Sequence, residues 1–341
     1  MSEQWRKFPK VELHRHLDGS VRFETILDLA KKNNLKLASN DPDKLIKKTK
    51  IFRPMNNLQE VLDCFWTHQK VLVNYEAIKR VTIENIEDAF RDEIKLIELR
   101  FAPTFISEGK KIGNDEIIEA ILDGTNEGMN KYPIQVGLIH IVARTLSLEK
   151  NLQATHDILR YLNKHHKCAD RIVGIDLADL ETTIPPEKFL EHIKLFREKN
   201  LGVTIHTAEN TDPSYAVKSI QTFSPQRLGH GINIVHDQNV INLVKEKNIH
   251  LEICPSSNYL THCVESMTKH PIDSLYKQGV SLSVNSDDPQ LMNIDLTHEY
   301  EILAKNFHYK SEDFLKMNLM GLEHSFLPIE IKSKIKKVFF K

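Results

Sequence analysis

Residues 9–20 read PKVELHRHLDGS, a short aliphatic run that closes on His14 and His16. One residue separates the two histidines on an extended segment, and the side-chain period of a strand is two. Both imidazoles therefore project to the same side. A run of this kind, ending in chemistry-bearing side chains, is the unit from which the fold is read.

Seven further β-branched or aliphatic runs follow, at 96–101, 134–142, 172–177, 202–206, 227–230, 249–253 and 280–285, so that with 11–16 there are eight. Longer stretches of helical periodicity lie between them, among them 115–132, 186–199 and 240–247. Strands alternating with helices predict parallel β/α units, and eight of them predict a closed TIM-type (β/α)8 barrel. No linker or low-complexity tract breaks the chain, so residues 1–341 are expected to form a single barrel domain. Extra helices are expected between the first two strands, from Phe23 to about Lys95, and in the tail from Leu296. In the first of these segments Leu58, Val61, Leu62 and Phe65 form an apolar stripe that suits either a core-facing helix or a lid. The basic, amphipathic end, LPIEIKSKIKKVFFK, is expected to dock on the barrel.

Lys plus Arg number 46 against 47 Asp plus Glu, a net charge of −1 with the signs interspersed, which gives no footprint for DNA or RNA. Cys64, Cys168, Cys254 and Cys263 are too few and too scattered for a disulfide framework, so reduced thiols and a cytoplasmic location are expected. The opening residues lack an apolar stretch of signal-peptide length, and no run of about 18 apolar residues offers a membrane span. The 17 histidines are the unusual count, and several lie in apolar surroundings. The pattern leaves oligomeric state open.

The strongest candidates for chemistry stand at the C-terminal ends of the strands, where barrel enzymes build their sites. His14 and His16 end the first, His206 the fifth in TIHTAE, His230 the sixth in RLGHG, and Asp287 and Asp288 the eighth in SVNSDDP. Neutral imidazoles with a carboxylate suit Zn2+, and His14, His16, His206 and Asp287 are assigned as ligands of one ion per chain. Such an ion brings the pKa of a bound water down to about 7. His230 is suited to hold or deprotonate that water, and Glu209 to protonate a substrate if burial raises its pKa.

PKVELHRHLDGS, HTAE, RLGHG, LEICPSSN and SVNSDDP together resemble the ordered signature blocks of the adenosine deaminases, within the metal-dependent amidohydrolase superfamily. ENIEDAF, ELRFAP and GIDLAD extend the likeness over nearly the whole chain. The resemblance implies deamination of a purine nucleoside, adenosine or 2'-deoxyadenosine, to the inosine product and ammonia. It implies that Glu209 protonates N1, that His230 orients the water and that Asp288 hydrogen-bonds N7. It places Asp18 at the substrate's ribose, counts His16 and Asp179 with it among the substrate-binding residues and makes the stripe of Leu58, Leu62 and Phe65 a lid. It further implies that Glu252 orients His230 and that Ser257 supports Asp287, although both also read as ordinary buried polar residues.

Three positions depart from the family pattern. Asp179 stands where a glycine N–H is expected to meet purine N3, Ala208 stands in the block that usually reads HAGE, and Gln290 replaces the glycine after Asp288-Pro289. These changes are expected to alter the pocket wall. Other 6-aminopurines therefore stay in view: adenine, 5'-modified adenosines and N6-substituted nucleotides, the last disfavoured by the charges of Asp18 and Asp179. A silent nucleoside-binding protein on the same fold is the reading from another class. Ala178 and Asp179 also occupy the place of the lysine that bridges two metals in binuclear relatives, which favours one ion. Lys164 to Cys168 and the pair His262-Cys263 read as solvated loops.

Overall fold

The computed structural model describes residues 3–39, 41–55, 58–164 and 166–340, and the side chains of 58, 59, 62 and 63 fall outside the description. Eight strands run in chain order in one parallel sheet: β1 Lys10–His16, β2 Ile94–Phe101, β3 Gln135–Ala143, β4 Ile172–Ala178, β5 Gly202–Thr207, β6 Arg227–His230, β7 His250–Ile253 and β8 Leu282–Val284. The expected β/α barrel is present, with boundaries shifted by one or two residues at most strands. Strands buried on both faces explain why the runs are continuously apolar rather than cleanly alternating.

β8 is shorter than the expected 280–285, because side-chain and loop bonds replace the ladder at the closing seam. Leu13 N donates to Asn285 Oδ1 at 2.8 Å, Asp287 N to His14 O at 3.1 Å, and His16 N to Asp287 O at 2.8 Å. The same bonds that close the barrel thus hold two strand ends, β1 and the segment after β8, side by side. The expected helix at 186–199 begins as a 3-10 turn, Pro186–Phe189, before Leu190–Arg197. Two successive prolines at its start supply no N–H to an α-helical ladder.

The first insertion holds the helices Phe23–Lys32, Pro42–Thr49, Leu58–Gln69 and Tyr75–Arg91. The tail adds Leu296–Phe307, Ser311–His324 and Ile329–Phe339. Ile335 and Phe340 are buried with Val11, Leu13, Leu96 and Val173, so the closing segment docks across the strands as expected. Phe326 plugs the barrel floor: a Cβ on Gly202 would stand 2.2 Å from its ring. Above it, charges alternate through the barrel. Glu98 pairs with Arg227 at 2.6 Å, Arg227 with Glu252 at 2.6 Å, Glu252 with Arg100 at 2.7 Å and Arg100 with Asp176 at 2.7 Å. All five side chains are fully buried, so each charge depends on its neighbours. Among the described residues no helix is long and apolar enough to cross a membrane.

Candidate active site at the C-terminal barrel mouth

His14, His16, His206 and Asp287 meet at the strand ends, each offering one ligand atom within 4.8 Å of all the others. His14 Nε2 lies 3.1 Å and His16 Nε2 3.2 Å from Asp287 Oδ1. The far nitrogens of two of these rings are already committed. His14 Nδ1 donates to Glu252 Oε2 at 2.9 Å and His206 Nδ1 to Asp176 at 3.0 Å. Those bonds fix both tautomers and turn the two Nε2 lone pairs toward the shared gap. Ser257 Oγ donates to Asp287 Oδ2 at 2.7 Å.

His14 Nε2 and Asp287 Oδ1 are buried with no hydrogen-bond partner. Unpaired buried acceptors are costly, and a cation between them would satisfy both at once. Three imidazole nitrogens and a carboxylate oxygen are a donor set that fits a divalent metal of the zinc type. The residues present therefore fit the group that the sequence implied.

Four of the residues that shape the mouth have left-handed backbones: Asp179 at φ 79°, Ala208 at 50°, His230 at 59° and Asp287 at 62°. Each follows or ends a strand, where a sharp turn swings the side chain into the opening. Such backbones cost about 1 kcal/mol or more without glycine and gather at functional sites. Asp179 and Ala208, which depart from glycine in the family pattern, thus keep the conformation that favours glycine.

Glu209 is positioned by Glu181, whose carboxylate accepts from Ala208 N at 2.8 Å, Glu209 N at 3.1 Å and the Thr211 hydroxyl at 2.8 Å. Burial pushes the Glu209 carboxyl above the usual range, against the pull of His230. Burial and the repulsion of Asp287 push Asp288 well above that range too. Gly19 is required here, because a Cβ on it would stand 1.6 Å from Asp288 Oδ1.

A cavity of about 440 Å³ is lined by His16, Glu209, His230, Asp287 and Asp288, a volume suited to a small ligand. An adjoining, mostly apolar cavity is lined by Asp18, Val61, Phe65, Phe105 and Asp179. Phe65 meets Phe105 edge to face, with ring centroids 5.8 Å apart. Leu58 and Leu62 belong to the same helix, but their side chains lie outside the described residues. Asp18 Oδ2 accepts from Gln69 Nε2, while its Oδ1 is buried and unpartnered.

Several expectations are corrected. Glu252 holds His14, Arg100 and Arg227 rather than His230, because it sits one layer deeper in the barrel. His230 is contacted instead by Asn258, whose Nδ2 donates to His230 Nδ1 at 3.1 Å. Asp179 is not among them: it lines both cavities, and of the outcomes open to its carboxylate it takes bonds to the neighbouring loop, Oδ2 accepting from Thr145 N at 3.2 Å and from the Thr145 hydroxyl, and Oδ1 from Leu180 N at 2.8 Å. Gln290 faces Asp88 in a separate polar cleft and lines neither mouth cavity, so that departure does not alter the pocket wall. Cys263 and His262, read as a solvated loop, line the larger cavity, with the Cys263 thiol hydrogen-bonded to the Thr261 hydroxyl at 3.3 Å. In the stretch Lys164 to Cys168, His165 lies outside the described residues, and His166 donates to the neighbouring Lys167 carbonyl.

The family model described as adenosine deaminase matches residues 9–339. The chain belongs to the adenosine deaminase family. An adenosine deaminase of Clostridium botulinum (strain 657) is 36% identical over 333 residues, covering 98% of each chain. Among solved structures, an adenine deaminase from Arthrobacter aurescens superposes with a TM-score of 0.87 at 23% identity, over 96% of this chain and 97% of that one. An amidohydrolase from Burkhoderia ambifaria with bound Zn superposes with a TM-score of 0.86 at 20% identity, over 98% and 90%. Both structural likenesses speak for the barrel. The adenosine deaminase blocks read from the sequence coincide with the strand ends that form the mouth.

Proposed function

We propose that this protein is a hydrolytic deaminase of adenosine and 2'-deoxyadenosine, working in purine salvage, with one Zn2+ held by His14, His16, His206 and Asp287. The observation that carries the reading is the convergence of those four side chains with Glu209, His230 and Asp288 on one cavity. The 36%-identical relative named adenosine deaminase points to the same substrate class.

When bound, the zinc would make water available as a nucleophile at neutral pH and offset negative charge as it develops on the attacked carbon's oxygen. The chain's own residues do the rest. Glu209, whose burial favours the protonated acid, gives its proton to purine N1, which makes C6 electrophilic. Purine N7 is an acceptor and needs a donor opposite it; Asp288, whose burial favours the protonated acid, serves as that donor. His230, buried beside the carboxylates of Glu209 and Asp287, holds the attacking oxygen in place. Asp18, with one buried oxygen unpartnered, accepts from a ribose hydroxyl. That acceptor favours a ribose-bearing substrate over bare adenine, and its charge disfavours a phosphate.

The test follows the loss of 6-aminopurine absorbance over adenosine, 2'-deoxyadenosine, 5'-methylthioadenosine and adenine, with metal content measured in the same preparation. The reading expects ammonia release fastest from the nucleosides. No release from any of the four would overturn it.

A further inference from the structure

His230 reports its own proton arrangement through a chain of bonds that begins at a backbone amide. Ile272 N–H can only donate, and it donates to His270 Nδ1 at 3.1 Å. His270 is therefore bare at Nδ1, and in its neutral form it carries its hydrogen on Nε2. Burial pushes its pKa down to about 3, so the neutral form is the one present at neutral pH. His270 Nε2–H then donates to Asn258 Oδ1 at 3.3 Å, which fixes the amide the right way round. Asn258 Nδ2 is left facing His230 Nδ1 at 3.1 Å and Glu209 Oε1 at 3.4 Å, and its two hydrogens serve one acceptor each.

We propose that Asn258 and His270 are positioning residues that lock His230 in the tautomer with Nδ1 bare and the hydrogen on Nε2, the nitrogen that faces Asp287. The inference rests on the proposed deamination for its catalytic consequence, though not for the tautomer itself. His230 Nε2 stands 3.9 Å from Asp287 Oδ2, so the hydrogen points toward the carboxylate and the reacting end of the cavity. In this state His230 is a donor to the attacking oxygen and steadies it, rather than a base waiting to accept its proton. The left-handed backbone of His230 holds the ring in that place. The same amide touches Glu209, so a single side chain orients the oxygen-holding histidine and the proton donor together.

The experiment is a long-range proton–nitrogen spectrum of 15N-histidine-labelled protein with its metal content measured, His230 being assigned by its loss in His230→Gln. The native protein is expected to show His230 protonated at Nε2 alone. Asn258→Asp offers only acceptors, so the hydrogen should move to His230 Nδ1, and kcat should fall roughly 10- to 100-fold with metal content kept. His270→Gln retains a donor toward Asn258 and should keep the native signature and rate. His270→Leu leaves Asn258 free to turn over and should lose both. A native His230 protonated at Nδ1, or an Asn258→Asp protein with unchanged tautomer or unchanged kcat, overturns the proposal. If the native signature is present but no substrate is deaminated, it is the reaction that is wrong, and the tautomer lock stands.

Discussion

Glu252 Oε2 stands 2.9 Å from Nδ1 of His14, with both side chains fully buried. The same carboxylate also meets Arg100 and Arg227, so one group orients an expected metal ligand and lies between two guanidiniums. The charges of those two guanidiniums hold Glu252 well below the ordinary carboxylate range despite its burial. Glu252→Gln should therefore fail in two measurable ways. Metal affinity, read by titration against a chelator, should drop about 10- to 100-fold. Two buried cations would also lose a counter-charge, at a cost of about 3–5 kcal/mol in denaturant unfolding. Unchanged metal affinity would remove Glu252 from the support of the site.

Glu209→Gln keeps the size of the side chain and removes the acid. Turnover should fall about 10²- to 10⁴-fold while metal content and the far-ultraviolet spectrum remain native. The pH dependence follows from the direction of the shift. Burial raises the Glu209 pKa, so the protonated donor persists to higher pH than an exposed glutamate allows, and activity is lost as pH rises through that value. The small residual rate of Glu209→Gln should lack this alkaline limb, and a variant retaining near-native kcat would refute the role.

Asp179→Gly tests what the departure from glycine does. Removing the side chain relieves the left-handed backbone but discards the bonds to Thr145 and Leu180, so stability should move by no more than about 1 kcal/mol. Because Asp179 lines both cavities, the ratios of kcat/KM among adenosine, 5'-methylthioadenosine and adenine should change. Identical ratios in the two proteins would exclude Asp179 from selectivity.

The strand ends were legible because parallel barrel strands are continuously apolar and the residues that terminate them are conspicuously polar. His14, His206 and Asp287 break such runs, and the histidine pair on one face needs only the period of two. The partners of those residues were harder to read. Glu252 lies two residues before Cys254 in the chain, and which histidine it serves depends on barrel depth, a quantity fixed by strand stagger rather than by spacing. Asn258 and His270 come from separate segments after β7 and meet only through the loop's path. Gln290 carries no hydrophobic periodicity that would have revealed its outward direction.

Glu299 supplies a test of stability that leaves the reaction aside. It sits fully buried in the helix Leu296–Phe307, where both carboxyl oxygens accept from Ser256 N at 3.2 Å. Burial, with Glu12 and Asp295 adding repulsion against the Ser256 bonds, pushes its pKa up to about 8. In the unfolded chain the group titrates near its ordinary value of about 4.3. Between those two values the folded state binds more protons than the unfolded one, so stability declines as pH rises across that window and the loss is complete above about 8. At about 1.4 kcal/mol per pH unit at most, the whole window is worth on the order of 5 kcal/mol. Glu299→Gln keeps an acceptor for Ser256 N and cannot ionise. Unfolding free energies from urea titrations near pH 6 and near pH 9 should therefore lie closer together in the variant than in the native protein, by about half of that amount. An equal gap in both would mean that Glu299 ionises in the folded protein as freely as it does in water.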